Sequence, residues 1–176
     1  RKTENKGFKL NPVECSVGSI IRSVYKRFTT LVNQKGIELK VEIPEEELLA
    51  SVDKEALTKI LSNLFTNALK YAQTYAYLSL SVDEAGKEFT IVMSNDGKII
   101  PIVMRENIFR PFVQYRDGKD IVPGTGIGLA LARSLAELHQ GTLTMDQDME
   151  CNRFILSIPI QHQTASDVLE EEHREK

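Results

Sequence analysis

The sequence predicts an α+β fold, a two-layer α/β sandwich in which helices cover one face of a mixed or mostly antiparallel sheet. Two observations lead to this prediction. Segments whose apolar residues recur every three or four positions alternate along the chain with segments of strict apolar–polar alternation. In addition, 41% of the 176 residues are hydrophobic and 27% are charged, so the chain can bury the core of one ordinary soluble domain.

The individual helices and strands follow from this periodicity and from residues that begin or end helices. Either Ser16 or Ser19 caps the first helix, Gly36 ends it, and Asp53 caps the second helix. The predicted helices span residues 16 or 19 to 36, 53–72 and 124–140. The predicted strands span residues 37–43, 49–52, 75–82, 88–94, 142–145 and 153–160.

The charge and the apolar content exclude several classes of function. The formal net charge is −3, which gives no overall attraction to nucleic acid or to an anionic membrane. No apolar run approaches the roughly 18 residues of a membrane-spanning helix. Cys15 and Cys151 lie far apart in sequence, which argues against a disulfide framework and a cysteine zinc site. We therefore expect a cytoplasmic segment with no direct contact to nucleic acid or membrane.

The two ends of the chain differ from its middle. Residues 1–12 are polar and lean towards basic, and they end at a helix-breaking Asn-Pro pair. Residues 161–176 are acidic and contain little that could be buried. We expect one domain over residues 13–160, preceded by a connector and followed by a solvated acidic linker.

A glycine pattern opens the third predicted helix. Gly124, Gly126 and Gly128 occupy alternate positions at its start. Glycine lets a backbone approach a ligand closely, and the free N–H groups of a helix N-terminus attract phosphate. The spacing differs from the dinucleotide-binding G-x-G-x-x-G pattern, and the Gly-Lys-Ser/Thr ending of a P-loop is missing. The pattern indicates another kind of phosphate site, and the alternative is a flexible helix start without a ligand.

A polar stripe runs along the second predicted helix. Asn63, Asn67 and Lys70 are separated by four and three residues, so they share one face. Asparagine is a poor helix former, and amide oxygens can ligate a hard cation such as Mg²⁺ beside substrate phosphates. The stripe indicates a metal-assisted phosphate site, with a solvated helix face as the alternative.

Two further features lie between the strand at 88–94 and the third helix. Asn95, Asp96 and Gly97 place hydrogen-bonding groups at the end of the strand, although an ordinary turn uses the same residue types. Residues 98–123 then form a long irregular stretch with five basic and three acidic residues. A positively charged loop of this length is typical of a lid over an anionic ligand.

In this order the motifs resemble the ATP-binding catalytic domain of sensor histidine kinases, within the superfamily that includes gyrase B and the Hsp90 chaperone. The resemblance covers roughly residues 8–160 and rests on four motifs. They are the N box at 63–71 (NLFTNALKY), the first glycine box at 95–97, the F box at 109–112 and the second glycine box at 124–128.

The resemblance implies a Bergerat-type ATP-binding fold with a mobile lid, and it implies roles for individual residues. Asn67 would ligate Mg²⁺, and Asn63, Lys70 and Arg116 would act in catalysis. The superfamily's ATPases carry a glutamate base at the position of Asn63, and Arg116 would stand in for a lid arginine. The implied nucleotide-binding residues are Asn67, Lys70, Tyr71, Asn95, Asp96, Gly97, Phe112, Gly124, Thr125, Gly126, Ile127, Gly128 and Leu129.

Two positions depart from the family pattern. Asn95 replaces the adenine-binding aspartate, and Ile99 replaces the second glycine of that box. We expect the amide oxygen of Asn95 to accept a hydrogen bond from the adenine amine. Because this bond is neutral, ATP should bind roughly fivefold more weakly than to an aspartate, with a modest preference over GTP. Strand alternation places Asp96 on the opposite face of the sheet from Asn95.

The resemblance predicts the catalytic domain of a two-component sensor histidine kinase, which transfers the γ-phosphoryl of Mg·ATP to a histidine on a separate dimerisation domain. Residues 1–12 would be the tail of that dimerisation domain's helices. The expected partners are this domain and a downstream response regulator or receiver domain, in a hybrid, membrane-anchored parent protein. The alternatives are an ATP hydrolase of the same superfamily and a degenerate nucleotide-binding docking module.

The phosphoacceptor histidine of the family has no counterpart in this sequence. The chain's histidines are His139, His162 and His173, and none lies in the family's acceptor motif. We interpret His139 as a helix-end residue that the C-terminal dipole of the helix favours.

Overall fold

The computed structural model describes residues 9–112, 127–146 and 150–161, and it has the expected two-layer architecture. The helices are α1 (Val17–Lys35), α2 (Lys54–Tyr71) and α3 (Gly128–Leu138). The strands are β1 (Val13–Ser16), β2 (Glu38–Glu42), β3 (Leu49–Val52), β4 (Tyr75–Val82), β5 (Glu88–Asn95), β6 (Thr142–Met145) and β7 (Asn152–Pro159).

Five of these strands form a mixed sheet in the order β2–β4–β5–β7–β6. Strands β2 and β4 run parallel, and the other neighbouring strands of this sheet run antiparallel. Strands β1 and β3 pair antiparallel in a separate two-stranded sheet. The long central strand β5 therefore has a partner on each side, and its carboxyl end lies inside the sheet.

The helices cover one face of the large sheet. Along β5, Phe89, Ile91 and Met93 are fully buried and alternate with half-buried residues on the opposite face. Helix α2 packs against β5, with α1 and α3 on either side of it. Its apolar stripe consists of Ala56, Leu57, Ile60, Leu61, Leu64, Phe65, Ala68 and Leu69, all buried. Helix α2 is therefore the central helix of the core.

The helix boundaries follow the predicted caps. The Ser16 hydroxyl accepts a hydrogen bond from the Ser19 N–H at 3.3 Å, which settles the choice between the two serines. Gly36 ends α1 with a φ of +66°, a left-handed conformation that glycine adopts without strain. Among the described residues, no helix combines the length and the apolar content that a membrane crossing requires.

The structure corrects the prediction for the start of the domain. Residues 9–12 of the predicted connector dock on the fold, since Leu10 packs against the core and the Asn11 N–H donates to Asp53 Oδ2 at 2.9 Å. Strand β1 follows directly and was not predicted, because a run of four residues is too short to indicate a strand without its distant partner β3. Residues 1–8 and 162–176, with most of the predicted acidic linker, lie outside the described residues.

The predicted lid region is described only in its first half. Residues 98–112 contain two short 3₁₀ turns, Ile102–Met104 and Asn107–Phe109. Residues 113–126 lie outside the described residues, so the rest of the predicted lid and the first part of the second glycine box cannot be placed. The described part of the third predicted helix begins at Gly128.

His139 has a different role from the one we inferred. It follows α3 directly, as predicted, but it is completely buried. Its Nε2 accepts the Asp53 N–H at 3.1 Å, and its Nδ1 lies 2.8 Å from the Leu135 carbonyl oxygen. A ring nitrogen that accepts an N–H carries no proton, so these contacts describe a neutral imidazole with Nδ1 as the donor. His139 thus joins the end of α3 to the start of α2, and no cationic dipole partner is formed.

Asp53 lies at the centre of this junction. Its Oδ1 accepts the Ala56 N–H at 3.0 Å and caps α2, and its Oδ2 accepts the Asn11 N–H. Burial alone would raise the pKa of Asp53, but the hydrogen bonds from Asn11 and Ala56 outweigh it and lower the pKa below the usual 3.8. The ionised carboxylate therefore stabilises the fold.

Replacing this carboxylate should measurably destabilise the domain. We expect Asp53→Ala to lower the free energy of unfolding by about 2 kcal/mol at pH 7, the upper end of the range for an N-cap. Since the folded pKa lies below 3.8, the contribution is present above about pH 4 and disappears as the pH falls further. Urea denaturation at pH 7 and pH 3 measures both effects. Lys54→Ala, an exposed neighbour, is the control, and equal destabilisation by both variants would contradict this role for Asp53.

Candidate functional site

The predicted motifs converge at the carboxyl-terminal half of α2. On one side, a Cβ added to Gly97 would lie 2.2 Å from the carbonyl oxygen of Tyr71, so the turn after β5 rests directly on the end of α2. On the other side, a Cβ added to Gly128 would lie 3.0 Å from Asn63 Oδ1, so the start of α3 rests on the middle of α2. The N box therefore lies between the two glycine boxes.

The two asparagines of α2 lie on its polar side, away from the apolar stripe. Asn63 and Asn67 are both half-buried. Within the described part of the chain, neither side chain makes a hydrogen bond. Two half-buried amides that the fold itself does not use are available to a ligand. The alternative interpretation, a solvated helix face, does not fit Asn63, whose Oδ1 lies against the start of α3.

Basic groups collect at the carboxyl end of α2. The Lys35 ammonium donates to the Leu69 carbonyl oxygen at 3.1 Å and caps the helix. Burial and then the charge of Lys35 lower the pKa of Lys70, whose Nζ lies 5.6 Å from the centre of the Tyr71 ring. Burial raises the pKa of the Tyr71 hydroxyl. An anionic ligand here would relieve the repulsion between the two ammonium groups.

Asp96 has a structural role. Its carboxylate accepts hydrogen bonds from the N–H groups of Gln73, Thr74 and Tyr75 at 3.0–3.1 Å and from the Thr74 hydroxyl. Burial alone would raise its pKa, but these hydrogen bonds lower the pKa to about 2. The carboxylate thus ties the turn after β5 to the connection between α2 and β4. Its predicted nucleotide contact is corrected accordingly, because its oxygens are already engaged.

Asn95 lies on the helix-facing side of β5 and is 1% exposed. Its Oδ1 accepts the Gly97 N–H at 2.9 Å and lies 3.4 Å from Asn152 Nδ2. This oxygen already accepts the Gly97 N–H, so the expected hydrogen bond from the adenine amine, which would use the second lone pair, stays a prediction. The Gly97 N–H orients the Asn95 amide, and Asn152, which is 57 residues away in sequence, adds a longer contact.

Asn152 belongs to the site and was missed from the sequence. It is 1% exposed at the start of β7, where its Oδ1 accepts the Ile100 N–H at 3.0 Å and its Nδ2 donates to the Lys98 carbonyl oxygen at 2.9 Å. It therefore fixes the segment that follows Gly97. The signal was a polar residue at a core position, since strand alternation puts it on the same face as the buried Phe154.

The F box is anchored to α3. The Arg133 guanidinium lies 4.0 Å from the centre of the Phe109 ring, forms an ion pair with Glu106, and donates from Nε to the Leu143 carbonyl oxygen at 3.0 Å. Arg133 was also missed. Phe112, by contrast, is 80% exposed, and the described residues do not place it with the asparagines of α2.

Among the residues that the structure describes, none caps the start of α3 with its side chain. Ile127 occupies the N-cap position, is 43% exposed and makes no capping hydrogen bond. The N–H groups at a helix N-terminus suit an anion, and the described part of this helix is 11 residues long. Leu129 packs against the core, which orients this end of the helix. Arg116, Gly124, Thr125 and Gly126 lie outside the described residues.

Comparison with known proteins finds the family that the four sequence motifs indicate. Residues 52–162 match the family described as histidine kinase-, DNA gyrase B- and HSP90-like ATPase. The chain is 26% identical over 153 residues to the alginate biosynthesis sensor protein KinB of Pseudomonas aeruginosa, covering 86% of this chain and 25% of KinB. The chain thus spans about a quarter of that relative.

Solved structures share the fold. The catalytic domain of histidine kinase ThkA aligns with a TM-score of 0.74 at 24% identity, over 86% of this chain and 99% of that chain. Full-length ShkA in complex with AMPPNP aligns with a TM-score of 0.77 at 22% identity, over 90% of this chain and 33% of that chain. The chain belongs to the histidine kinase-, DNA gyrase B- and HSP90-like ATPase family, and it has the fold of histidine kinase catalytic domains.

Proposed function

We propose that this domain binds Mg·ATP and transfers its γ-phosphoryl group to a histidine on the dimerisation domain of a sensor histidine kinase. The observation that carries the proposal is the convergence of the Asn63 and Asn67 amides, which make no hydrogen bond among the described residues, with the described start of α3 and the Gly97 turn. The family match, a sensor-protein relative and a structural neighbour solved with AMPPNP support it.

Each group has a place in this chemistry. The N–H groups at the start of α3 and the Lys70 ammonium would hold the phosphates. The Asn67 amide oxygen is the hard ligand that the site offers to Mg²⁺, and no cluster of three acidic, histidine or cysteine side chains occurs in the described ranges. When bound, the metal would neutralise phosphate charge. Positioning and charge neutralisation are the protein's main contributions to phosphoryl transfer.

The residue type at position 63 bears on whether the site transfers the γ-phosphoryl group to a histidine or hydrolyses ATP. A carboxylate at this position could take a proton from water, whereas an amide cannot at neutral pH. The site therefore protects the γ-phosphoryl for the histidine, which argues against the hydrolase alternative. We propose that Arg116 acts in catalysis from the lid, where it stands in for the family's lid arginine.

We further propose the setting of this domain. The acceptor domain and a response regulator or receiver domain would be its partners, and the parent would be a membrane-anchored hybrid kinase with this segment in the cytoplasm. The relatives that the chain matches are several times longer than it, which leaves room for these parts.

The metal contact can be tested at Asn67. We expect Asn67→Ala to abolish Mg²⁺-dependent ATP binding in titration calorimetry. The free energy of unfolding without ligand should change by less than about 0.5 kcal/mol, because the side chain lies off the apolar stripe and makes no hydrogen bond in the described structure. Thr66→Ala, an exposed neighbour on α2, is the matched control and should bind normally. A variant that unfolds, or that binds like the control, would refute the assignment.

The phosphoryl acceptor can be tested with labelled ATP. This chain should not label itself, since His139 is buried with Nε2 occupied and none of its histidines matches an acceptor motif. It should label an added dimerisation domain from a relative, and it should hydrolyse ATP far more slowly than the ~1–10³ per second of ordinary enzymes. Hydrolysis within that range would favour the ATPase instead. ATP binding without transfer to any acceptor would favour the docking module.

A further inference from the structure

Lys35, the last residue of α1, contacts the end of α2 that carries Lys70. Its Nζ donates to the Leu69 carbonyl oxygen at 3.1 Å. In a longer helix this carbonyl group would accept the Gln73 N–H, but that N–H donates to Asp96 Oδ1 at 3.0 Å instead. The Lys35 ammonium therefore takes the place of the missing backbone donor at the end of α2.

The same end of α2 packs outside the main core. The preceding buried residues of the helix belong to the main core, whereas Leu69 forms a separate apolar cluster with Val32 and Ile37. These two residues lie on either side of Lys35 in sequence. The end of α1 therefore positions the last turn of α2, through this cluster and through the Lys35 ammonium.

Lys35 and Lys70 place two positive charges at this end of α2. Burial, and then the charge of Lys35, lowers the pKa of Lys70, as expected for two ammonium groups that repel each other. The other titratable groups here are the Tyr71 hydroxyl and the Asp96 carboxylate, which is engaged by residues 73–75. Within the described parts of the chain, neither lysine forms an ion pair with an acidic side chain. Two neighbouring cations without an acidic partner indicate an anionic ligand.

We propose that Lys35 is a positioning residue of the nucleotide site, which holds Lys70 in place and adds a second positive charge that attracts the triphosphate. This inference rests on the proposed function and adds to the site a residue outside the four sequence motifs. Lys70 would contact the phosphates, whereas Lys35 acts through its contact with α2 and through its charge. Because the attraction is electrostatic, Lys35 should affect the binding of ATP and leave the binding of uncharged adenosine unchanged.

Substitutions of Lys35 test this role. Lys35→Met removes the charge and the contact with α2, whereas Lys35→Arg keeps a charged donor. In titration calorimetry at pH 7 and low ionic strength, Mg·ATP should bind about fivefold more weakly to Lys35→Met. Lys35→Arg should bind Mg·ATP within about twofold of the unaltered chain. Adenosine, titrated by NMR, should bind equally to all three proteins.

Lys26→Met is the matched control. It removes the same charge from α1, but Lys26 is exposed and lies on the opposite side of the helix from Lys35. Its Mg·ATP affinity should equal that of the unaltered chain. An NMR titration of the Lys70 side chain without nucleotide gives a second readout, which a merely structural role would not change. The pKa of Lys70 should rise in Lys35→Met, where the repelling charge is gone, and should not change in Lys26→Met.

Three results would overturn the inference while the proposed nucleotide site stands. The first is full Mg·ATP affinity in Lys35→Met. The second is an equal loss of ATP and adenosine affinity, which would mean that Lys35 only supports the fold. The third is an unchanged pKa of Lys70 in Lys35→Met. An unaltered chain that does not bind Mg·ATP would overturn the proposed function itself, together with this inference.

Discussion

The close approach of the Gly97 turn to the last carbonyl group of α2 is the constraint on which the site depends. A side chain at this position would place its Cβ 2.2 Å from the Tyr71 oxygen, so glycine is required. Asp96 holds the connection after α2 to one side of the turn, and Asn152 holds residues 98–100 to the other. The turn is therefore fixed from both sides by polar contacts.

A second junction fixes the opposite end of α2. Asp53 caps the helix and His139 accepts the Asp53 N–H, so the start of α2 and the end of α3 are held together through buried polar atoms. The approach of Gly128 to Asn63 then aligns the start of α3 with the middle of α2. Because both junctions act on α2, the binding groups are positioned by the same helix that organises the core, and ligand binding should stabilise the whole domain.

Much of the fold was predictable because its signals are local. The apolar stripe of α2, its Asp53 cap and the alternation along β5 depend on neighbouring residues, and these predictions were confirmed. Strand β1 was missed because its pairing with β3 joins residues more than 30 positions apart. Asn152 was missed for the same kind of reason, since its contacts with residues 98–100 come from another strand. Sequence patterns pointed to Asn63, Gly97 and Gly128, which meet around α2, whereas the long-range contacts of Asn152 and Arg133 leave no local pattern.

The central claim is that the contact between Gly97 and α2 builds the nucleotide site, and Gly97→Ala tests it most directly. The added methyl group would push the turn away from Tyr71. Gly86→Ala is the matched control, because Gly86 lies at the tip of the β4–β5 turn with a φ of +67° and is strained by any side chain without contact to the site. Nucleotide affinity measured by calorimetry should fall at least about tenfold in Gly97→Ala, a change of ~1.4 kcal/mol. It should remain unchanged in Gly86→Ala. A folded Gly97→Ala variant that binds Mg·ATP with full affinity would contradict the account.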